Sequence, residues 1–255
     1  MMNKKKLGQN FLIDEAIARK EIEYCDISKK DVVLEVGPGK GILTKLLILE
    51  SKKVIAVEID KNLYDYLNNL FLKQNILLIN DDILKINFKD IPKFNKIVSN
   101  LPFQISLPFT IKILEYDFNK AVLIYQKEFA ERMVAKTGDK NYSRLSILIY
   151  YKSYCKIIED IPNIKFFPTP KIDSSIVELI PRKNPPFHLK NESFFFDLTK
   201  ILFNQKRKKI KNNIKKHYNL NLEDIPFKNN RIGELSPEEI AELSDIIYAK
   251  FISKF

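Results

Sequence analysis

The fold is decided by residues 32–41, which read Val-Val-Leu-Glu-Val-Gly-Pro-Gly-Lys-Gly. A mostly apolar, β-branched run followed by three glycines in five positions predicts a buried strand that ends in a tight turn. The residues after this turn are strong helix formers, and a second helix is predicted over residues 62–72. Further strands are predicted at residues 54–58, 76–79, 96–99, 121–125, 145–151 and 175–180. Strands that alternate with helices predict an α/β fold with a doubly wound parallel sheet.

The composition of the chain changes at residues 181–186, Pro-Arg-Lys-Asn-Pro-Pro. Three prolines and two charges in six residues indicate a linker. After this segment the pattern is helical, over residues 192–216 and again over residues 237–255. The sequence therefore predicts two domains, at residues 1–183 and 184–255.

The composition excludes several classes of protein. Hydrophobic residues make up 45% of the 255 positions, which excludes a disordered or fibrous chain. The net charge of +11 favours a polyanionic partner, although a protein that is merely rich in lysine also fits it. The two cysteines lie far apart and near neither histidine, so we predict unpaired thiols and no metal site. Without an 18-residue apolar run or an apolar leader, the chain is predicted to be cytoplasmic, with no membrane span.

The glycine loop at residues 37–41 predicts a cofactor site. Glycine lets a ligand approach the backbone closely, and the helix that follows offers free N–H groups. Glu58 ends the next strand, 21 residues after Gly37, and suits a carboxylate that binds both hydroxyls of a ribose. The G-x-G-x-G spacing differs from a dinucleotide site and from a phosphate loop. The pattern resembles S-adenosylmethionine-dependent methyltransferases, and a plain strand-to-helix turn is the alternative.

A second motif, Ser-Asn-Leu-Pro-Phe at residues 99–103, follows the fourth strand at the edge where open α/β sheets bind ligands. An amine on an aromatic ring is a poor nucleophile because its lone pair is delocalised. The Asn100 side-chain oxygen and the Leu101 carbonyl can accept its two N–H groups and aim the lone pair at a methyl sulfonium. Pro102 stiffens the turn, and Phe103 offers a face for a flipped-out base. The alternative is an ordinary turn with a core Phe.

Five segments occur in an order that is typical of one family, at residues 8–12, 35–41, 99–103, 126–132 and 166–174. Through them the chain resembles the small-subunit, or 16S-type, ribosomal RNA adenine N6,N6-dimethyltransferases, and most of all their archaeal branch. The resemblance implies a Rossmann-like methyltransferase domain and a small C-terminal helical domain. It implies transfer of two methyl groups to the exocyclic amine of each of two adjacent adenosines near the 3′ end of 16S-type rRNA. A role in ribosome biogenesis is expected alongside this activity.

The resemblance also implies which residues form the site. The S-adenosylmethionine site, without a metal, would be lined by Asn10, Leu12, Gly37, Glu58, Asp82 and Asn100. Asp82 is chosen over Asp81 because the residues that follow it match the family's Asp-Ala-Leu-Lys pattern. Phe103 would stack on the target adenine, and Phe166 would pack on its other face. The family usually has Tyr at position 103. Phe103 can still stack on a base, but it lacks the hydroxyl and any role that the hydroxyl has.

Residues 206–216 carry seven cations, and Ile210 and Ile214 mark the buried edge of a predicted helix. Four of the cations are predicted to bind RNA phosphates: Lys206, Arg207, Lys208 and Lys209. A solvated charged face is the alternative, and the basic loop at residues 136–144 is a weaker second candidate. The expected partner is small-subunit rRNA or the immature small subunit, and the protein is expected to be a monomer.

Two other functions stay open at this point. The first is a 23S rRNA methyltransferase of the macrolide-resistance type, which typically has Ile at the position of Leu101 and Asn at that of Asp173. The second is a mainly non-catalytic ribosome assembly factor. The intact glycine loop and the Asn100 motif argue against lost activity, but they do not exclude an assembly role.

Overall fold

The computed structural model describes residues 9–218, 220 and 223–252. The chain divides into two compact units, the first from Met1–Ala130 and Tyr154–Pro181, the second from Glu131–Ser153 and Arg182–Phe255. This division differs from the predicted single boundary between residues 183 and 184. Residues 131–153 join the second unit because Tyr142 and Ile147 are buried in the same core as Phe195 and Leu198.

The described residues form nine strands and nine α-helices. The strands are β1 (Phe11–Leu12), β2 (Val32–Val36), β3 (Lys53–Val57), β4 (Ile76–Ile79), β5 (Lys96–Asn100), β6 (Lys120–Gln126), β7 (Ser153–Ile161), β8 (Phe166–Phe167) and β9 (Ser174–Pro181). The helices are α1 (Glu15–Tyr24), α2 (Ile42–Glu50), α3 (Lys61–Leu70), α4 (Ser106–Ile113), α5 (Lys127–Val134), α6 (Arg144–Lys152), α7 (Glu192–Asn204), α8 (Ile210–Tyr218) and α9 (Pro237–Ile252).

The first unit is built on a seven-stranded sheet with the order β4-β3-β2-β5-β6-β9-β7. The strands from β2 to β6 pair in parallel, as predicted, whereas β9 pairs antiparallel with β6. The sheet is therefore mixed rather than purely parallel. The central strands are nearly continuous apolar runs, and Leu34, Ile55 and Leu123 are fully buried, as expected for strands covered on both faces.

The sheet has a crevice between β2 and β5. From β2 the chain continues through α2 to β3 on one side, while β5 lies on the other side, so the strand order reverses here. The register pairs Val33 with Lys96 and Leu34 with Ile97. Two residues further on, the Val36 N–H donates to the Ser99 side-chain oxygen at 2.7 Å. Ligands of open α/β sheets bind at such a reversal.

Residues 145–151, which were predicted as a strand, lie within helix α6. A short apolar run fits a buried helix as well as a buried strand, so periodicity alone could not decide between them. The helix begins where the Ser143 N–H donates to Ser146 Oγ at 3.0 Å. The Ser146 hydroxyl in turn donates to the Arg132 carbonyl at 2.7 Å. These two bonds fix the first turn of α6.

Within the described parts of the chain, no helix combines the length and apolar character needed to cross a bilayer. His, Cys, Asp and Glu side chains in those same parts form no group that could hold a metal ion. Cys25 and Cys155 are free thiols, and burial raises the pKa of each to about 12.

Candidate active site

A pocket opens at the carboxyl ends of strands β2, β3 and β5, the edge at which the sequence predicted ligand binding. Its lining comes from the loops that follow β2, β3, β4 and β5, and from the segment around β1. Seven of the predicted site residues line it: Asn10, Leu12, Gly37, Glu58, Asp82, Asn100 and Pro102. The fold thus brings together residues that are up to 92 positions apart in the sequence.

The glycine loop is packed closely on two sides. Gly39 has a φ of +58°, and a Cβ atom there would lie 2.7 Å from Cδ1 of Phe11. Gly37 has a φ of +67°, and a Cβ atom there would lie 3.2 Å from Cδ of Pro102. Both positions therefore need glycine, for the backbone conformation and for the close approach. The segment around β1 and the turn at Pro102 therefore both lie against the loop.

Glu58 is held in place at the end of β3. Only 3% of its surface is exposed. Its Oε1 accepts the Asp60 N–H at 2.9 Å, and its Oε2 accepts the Gly39 N–H at 3.3 Å. Burial raises the pKa of Glu58, and these two N–H groups partly offset that rise. Because each carboxylate oxygen has a second lone pair, the oriented group can also accept two hydroxyl groups of a ligand.

Two further carboxyl groups are buried in the first unit, and one of them reaches the pocket. Glu35 on β2 lines the pocket, and within the described chain its Oε2 has no hydrogen-bond partner. Burial raises the pKa of Glu35 to about 8, and the nearby charge of Glu58 acts in the same direction. Glu21 on α1 is fully buried, and burial, with Glu35 as a second cause, raises its pKa well above the ordinary value. The sequence analysis did not single out Glu21, because a glutamate on a helix is usually solvated.

The loop after β4 accepts hydrogen bonds from a lysine that no sequence motif predicts. Asp81 and Asp82 both line the pocket, and Asp82 Oδ1 accepts the Leu84 N–H at 3.0 Å. The Lys112 ammonium group, on α4, donates to the carbonyls of Ile83 at 2.8 Å and Leu84 at 3.0 Å, and also to that of Ile86. This one cation therefore fixes the shape of the acidic loop. A single lysine on an otherwise uncharged helix gives no motif from which to predict this role.

The turn that follows β5 presents Asn100 to the pocket. The side-chain nitrogen of Asn100 donates to the Asn10 carbonyl at 3.4 Å, so its oxygen is the atom that can accept from a ligand. The Pro102 carbonyl accepts the Ile105 N–H at 3.0 Å and so starts a short 3₁₀ turn. The Leu101 side chain is buried and that of Phe103 is half-buried, and neither lines the pocket. Both residues lie directly beside the lining residues Asn100 and Pro102.

Phe166 differs from its implied role. Its surface is only 1% exposed, and it belongs to the hydrophobic core of the first unit together with Leu12, its partner across β1 and β8. A base cannot stack on a ring buried in this way. The next residue, Phe167, is 62% exposed, because successive side chains of a strand point to opposite faces.

The four predicted RNA-binding cations also differ from the prediction in their local structure. They lie in the turn between α7 and α8, not on one continuous helix. Consecutive like charges do not stabilise a helix, and the chain here pairs with another segment, since the Ile210 N–H donates to the Asn230 carbonyl at 2.9 Å. Lys206 donates to the carbonyls of Lys140 and Tyr142 at 3.2 and 2.8 Å. The other three, Arg207, Lys208 and Lys209, are exposed, and Ile210 and Ile214 are buried as predicted.

The strand order, the glycine loop and the pocket at the reversal of strand order define the S-adenosylmethionine-dependent methyltransferases of Rossmann-like fold, as the sequence predicted. The chain belongs to the ribosomal RNA adenine dimethylase family, whose sequence model matches residues 1–249. The family predicted from the five motif segments is therefore confirmed.

Relatives and solved structures agree with this assignment. A "Probable ribosomal RNA small subunit methyltransferase A" of Thermococcus onnurineus is 44% identical over 93% of this chain and 89% of its own length. The protein of the same name in Methanococcus vannielii is 41% identical over the full length of both chains. A crystal structure of a dimethyladenosine transferase from Plasmodium falciparum matches with a TM-score of 0.79 and 30% identity, over 91% of this chain and 95% of that one. A 23S rRNA methyltransferase matches with a TM-score of 0.70 over 94% of this chain and all of its own, but its 23% identity shows the fold alone.

Proposed function

We propose that this protein transfers methyl groups from S-adenosylmethionine to the exocyclic amines of two adjacent adenosines near the 3′ end of 16S-type rRNA. The observation that carries the proposal is that an oriented, buried Glu58 and the Asn100 amide line one pocket. One group suits a ribose diol and the other suits an aromatic amine. The names of the relatives in Thermococcus and Methanococcus support the small subunit as the site of action. A role in ribosome biogenesis accompanies this activity.

The pocket fits S-adenosylmethionine in charge and in shape. Asp81 and Asp82 in the pocket lining suit a cationic ligand, and the glycine loop lets that ligand approach the backbone. Glu58 would hold the ribose hydroxyls and Asp82 the adenine amine. Asn10, Leu12 and Gly37 would complete the walls. The bound cofactor supplies an electrophilic methyl group on a sulfonium.

The turn after β5 prepares the acceptor amine. The Asn100 side-chain oxygen and the Leu101 carbonyl accept its two N–H groups, which aims the nitrogen lone pair at the methyl group. Pro102 packs against Gly37 and so fixes the turn relative to the glycine loop. Phe103 offers its ring to the extruded adenine. The amine gains one methyl group and releases one proton to solvent at each transfer. One N–H therefore remains after the first transfer, and one acceptor still orients the amine for the second.

Purified protein is expected to transfer labelled methyl groups from S-adenosylmethionine to immature small ribosomal subunits. Mass spectrometry of the rRNA should find dimethyladenosine at two adjacent positions near the 3′ end, and mature large subunits should stay unlabelled. Label in 23S rRNA would instead support the macrolide-resistance type of activity. Tight binding to small subunits with no transfer would support an assembly factor without turnover.

We also propose that the exposed cations Arg207, Lys208 and Lys209, here called the basic turn, bind rRNA phosphates. Changing all three to Gln should weaken RNA binding and leave cofactor affinity unchanged. Each phosphate that the variant no longer neutralises lowers the slope of log K against log salt by roughly 0.7 to 0.9, so three such phosphates lower it by about two units or slightly more. A salt titration of RNA binding measures this slope. Cognate and scrambled RNA should be affected alike, because cations that bind phosphates do not read bases.

A matched control removes the same charge from exposed positions of the first unit, with Gln at Lys52, Lys73 and Lys93. This control variant should keep the wild-type slope. Lys206 is left intact in both variants, because its bonds to two carbonyls brace the second unit. An unchanged slope in the basic-turn variant would move the search for the RNA path to the loop at residues 136–144.

A further inference from the structure

Strands β1 and β8 form a two-stranded antiparallel ribbon beside the pocket. Its register pairs Phe11 with Phe167 and Leu12 with Phe166, and cross-strand partners share a face. Leu12 and Phe166 point into the hydrophobic core. Phe11 and Phe167 therefore lie on the opposite face of the ribbon. Phe11 lines the pocket from that face and Leu12 from the other, and most of the Phe167 surface is exposed.

The segment that carries Phe167 is braced on both sides. The Ile13 N–H donates to the Lys165 carbonyl at 3.0 Å, and the Lys165 ammonium group bonds the Asp14 carboxylate at 2.5 Å. The Asn163 side-chain nitrogen, before β8, donates to the Pro170 carbonyl, after β8, at 3.0 Å. The exposed ring is therefore presented by a fixed backbone, so its exposure is a property of the fold and not of a loosely packed loop.

The surroundings of Phe167 favour RNA as the group that covers it. Lys40 is exposed, and its ammonium group lies 5.6 Å from the centre of the Phe11 ring. Lys171 is also exposed, four residues beyond Phe167. Cations that can meet phosphates beside an exposed aromatic ring are the combination that binds unpaired RNA. The ring is also the cross-strand partner of Phe11, which lines the pocket.

We propose that Phe167 stacks on the base of the nucleotide next to the adenosine whose amine Asn100 orients. The inference rests on the proposed function. When one of two adjacent target adenosines is held at Asn100, the continuous RNA backbone keeps the other close to the rim of the pocket. Cross-strand partners have Cβ atoms about 4.5 to 5.5 Å apart, so Phe167 is one strand spacing from a residue of the pocket wall. Phe167 therefore holds the waiting adenosine while its neighbour is methylated.

The test uses the intact protein and a synthetic RNA hairpin whose unpaired loop contains two adjacent adenosines. Changing Phe167 to Ala should weaken binding of this RNA about tenfold, within the range that stacking of one base contributes. Changing it to Tyr should keep wild-type affinity, because the ring remains. In wild-type protein, an abasic site in place of one adenosine should weaken binding as much as the Ala variant does. Combining the Ala variant with the abasic RNA should add little further loss.

The matched control is Ile164→Ala, since Ile164 is 68% exposed near Phe167 but has no ring. It should bind RNA like the wild type. Equal losses in the Ile164 and Phe167 variants would indicate a general apolar surface, such as one for a protein partner, and would overturn the stacking role. Additive losses for the Ala variant and the abasic RNA, or no loss in the Ala variant, would also overturn it.

Methyl transfer by the wild type to small subunits, measured in parallel, separates this inference from the proposed function. If wild-type protein transfers methyl groups and Phe167→Ala binds RNA normally, only the stacking role fails. If the wild type binds RNA through Phe167 but transfers no methyl group, the proposed function fails and the base-binding site remains. In an active enzyme, Phe167→Ala should also leave more rRNA with only one of the two adenosines dimethylated, at unchanged cofactor affinity.

Discussion

Changing Glu58 to Ala is expected to weaken S-adenosylmethionine binding by about 100-fold or more, which calorimetry would register as loss of detectable binding. The physical reason is that two hydrogen bonds to a charged acceptor disappear together, each worth roughly 1.5 to 3 kcal/mol. The carboxylate is already oriented by the Asp60 and Gly39 N–H groups, so the wild type loses little entropy when it binds a diol. The variant also leaves these two N–H groups without their acceptor.

Two controls make this result specific. Glu23→Ala removes an exposed carboxylate from α1, away from the pocket, and should keep wild-type affinity. Thermal unfolding of Glu58→Ala should show that the first unit still folds. This control is needed because an unfolded variant would also fail to bind the cofactor. Near wild-type affinity in a folded Glu58→Ala protein would remove Glu58 from the cofactor site.

Much of the first unit could be predicted because its signals are local. Each of the parallel strands is a short, nearly continuous apolar run, and the glycine loop marks where β2 ends. The signals failed where distant segments decide the structure. Residues 131–153 join the second unit through contacts such as the hydrogen bond from the Tyr142 hydroxyl to the Leu235 carbonyl, 93 positions away. The direction of β9 also depends on its pairing with β6, which no local pattern specifies.

The candidate site shows the same limit. Residues at the carboxyl ends of neighbouring strands can be expected to meet, and Gly37, Glu58 and Asn100 do line one pocket. The packing of Phe11 on Gly39 joins two segments that no periodicity connects, so residues alone did not predict it. The Lys112 hydrogen bonds to the loop after β4 also depend on how α4 packs.

The two phenylalanines of β8 point to opposite faces because successive side chains alternate along a strand. The family pattern identifies the motif that contains both phenylalanines. Only the pairing of β8 with β1 shows which of the two rings is buried. Leu12 and Phe166 fill the core, and the same register leaves Phe167 in solvent. The basic turn shows the same limit. The run of cations is visible in the sequence, but the helix predicted to carry them ends before them, and the chain there pairs with the segment near Asn230.

Changing Asn100 to Ala is expected to lower the rate of methyl transfer by about 100-fold or more while S-adenosylmethionine affinity stays within a few-fold of the wild type. Loss of one preorganised polar group, or misplacement of a reacting atom by about 1 Å, costs a factor of this size. The Asn100 oxygen is assigned to the target amine, whereas Glu58 and the acidic loop are assigned to the cofactor. Single-turnover transfer of labelled methyl to small subunits measures the rate, and calorimetry measures the affinity.

Two neighbouring variants test whether orientation of the amine is what the Ala variant has lost. Gln104→Ala removes another amide that lines the same pocket, and it should transfer methyl groups at nearly the wild-type rate. Phe103→Tyr should also be tolerated, because stacking needs only the ring. If Asn100→Ala turns over within a few-fold of the wild type, the amide does not orient the amine. If instead the variant loses cofactor affinity in proportion to its loss of rate, Asn100 acts through the cofactor. The bond from the Asn100 nitrogen to the Asn10 carbonyl would then hold the β1 segment over the pocket.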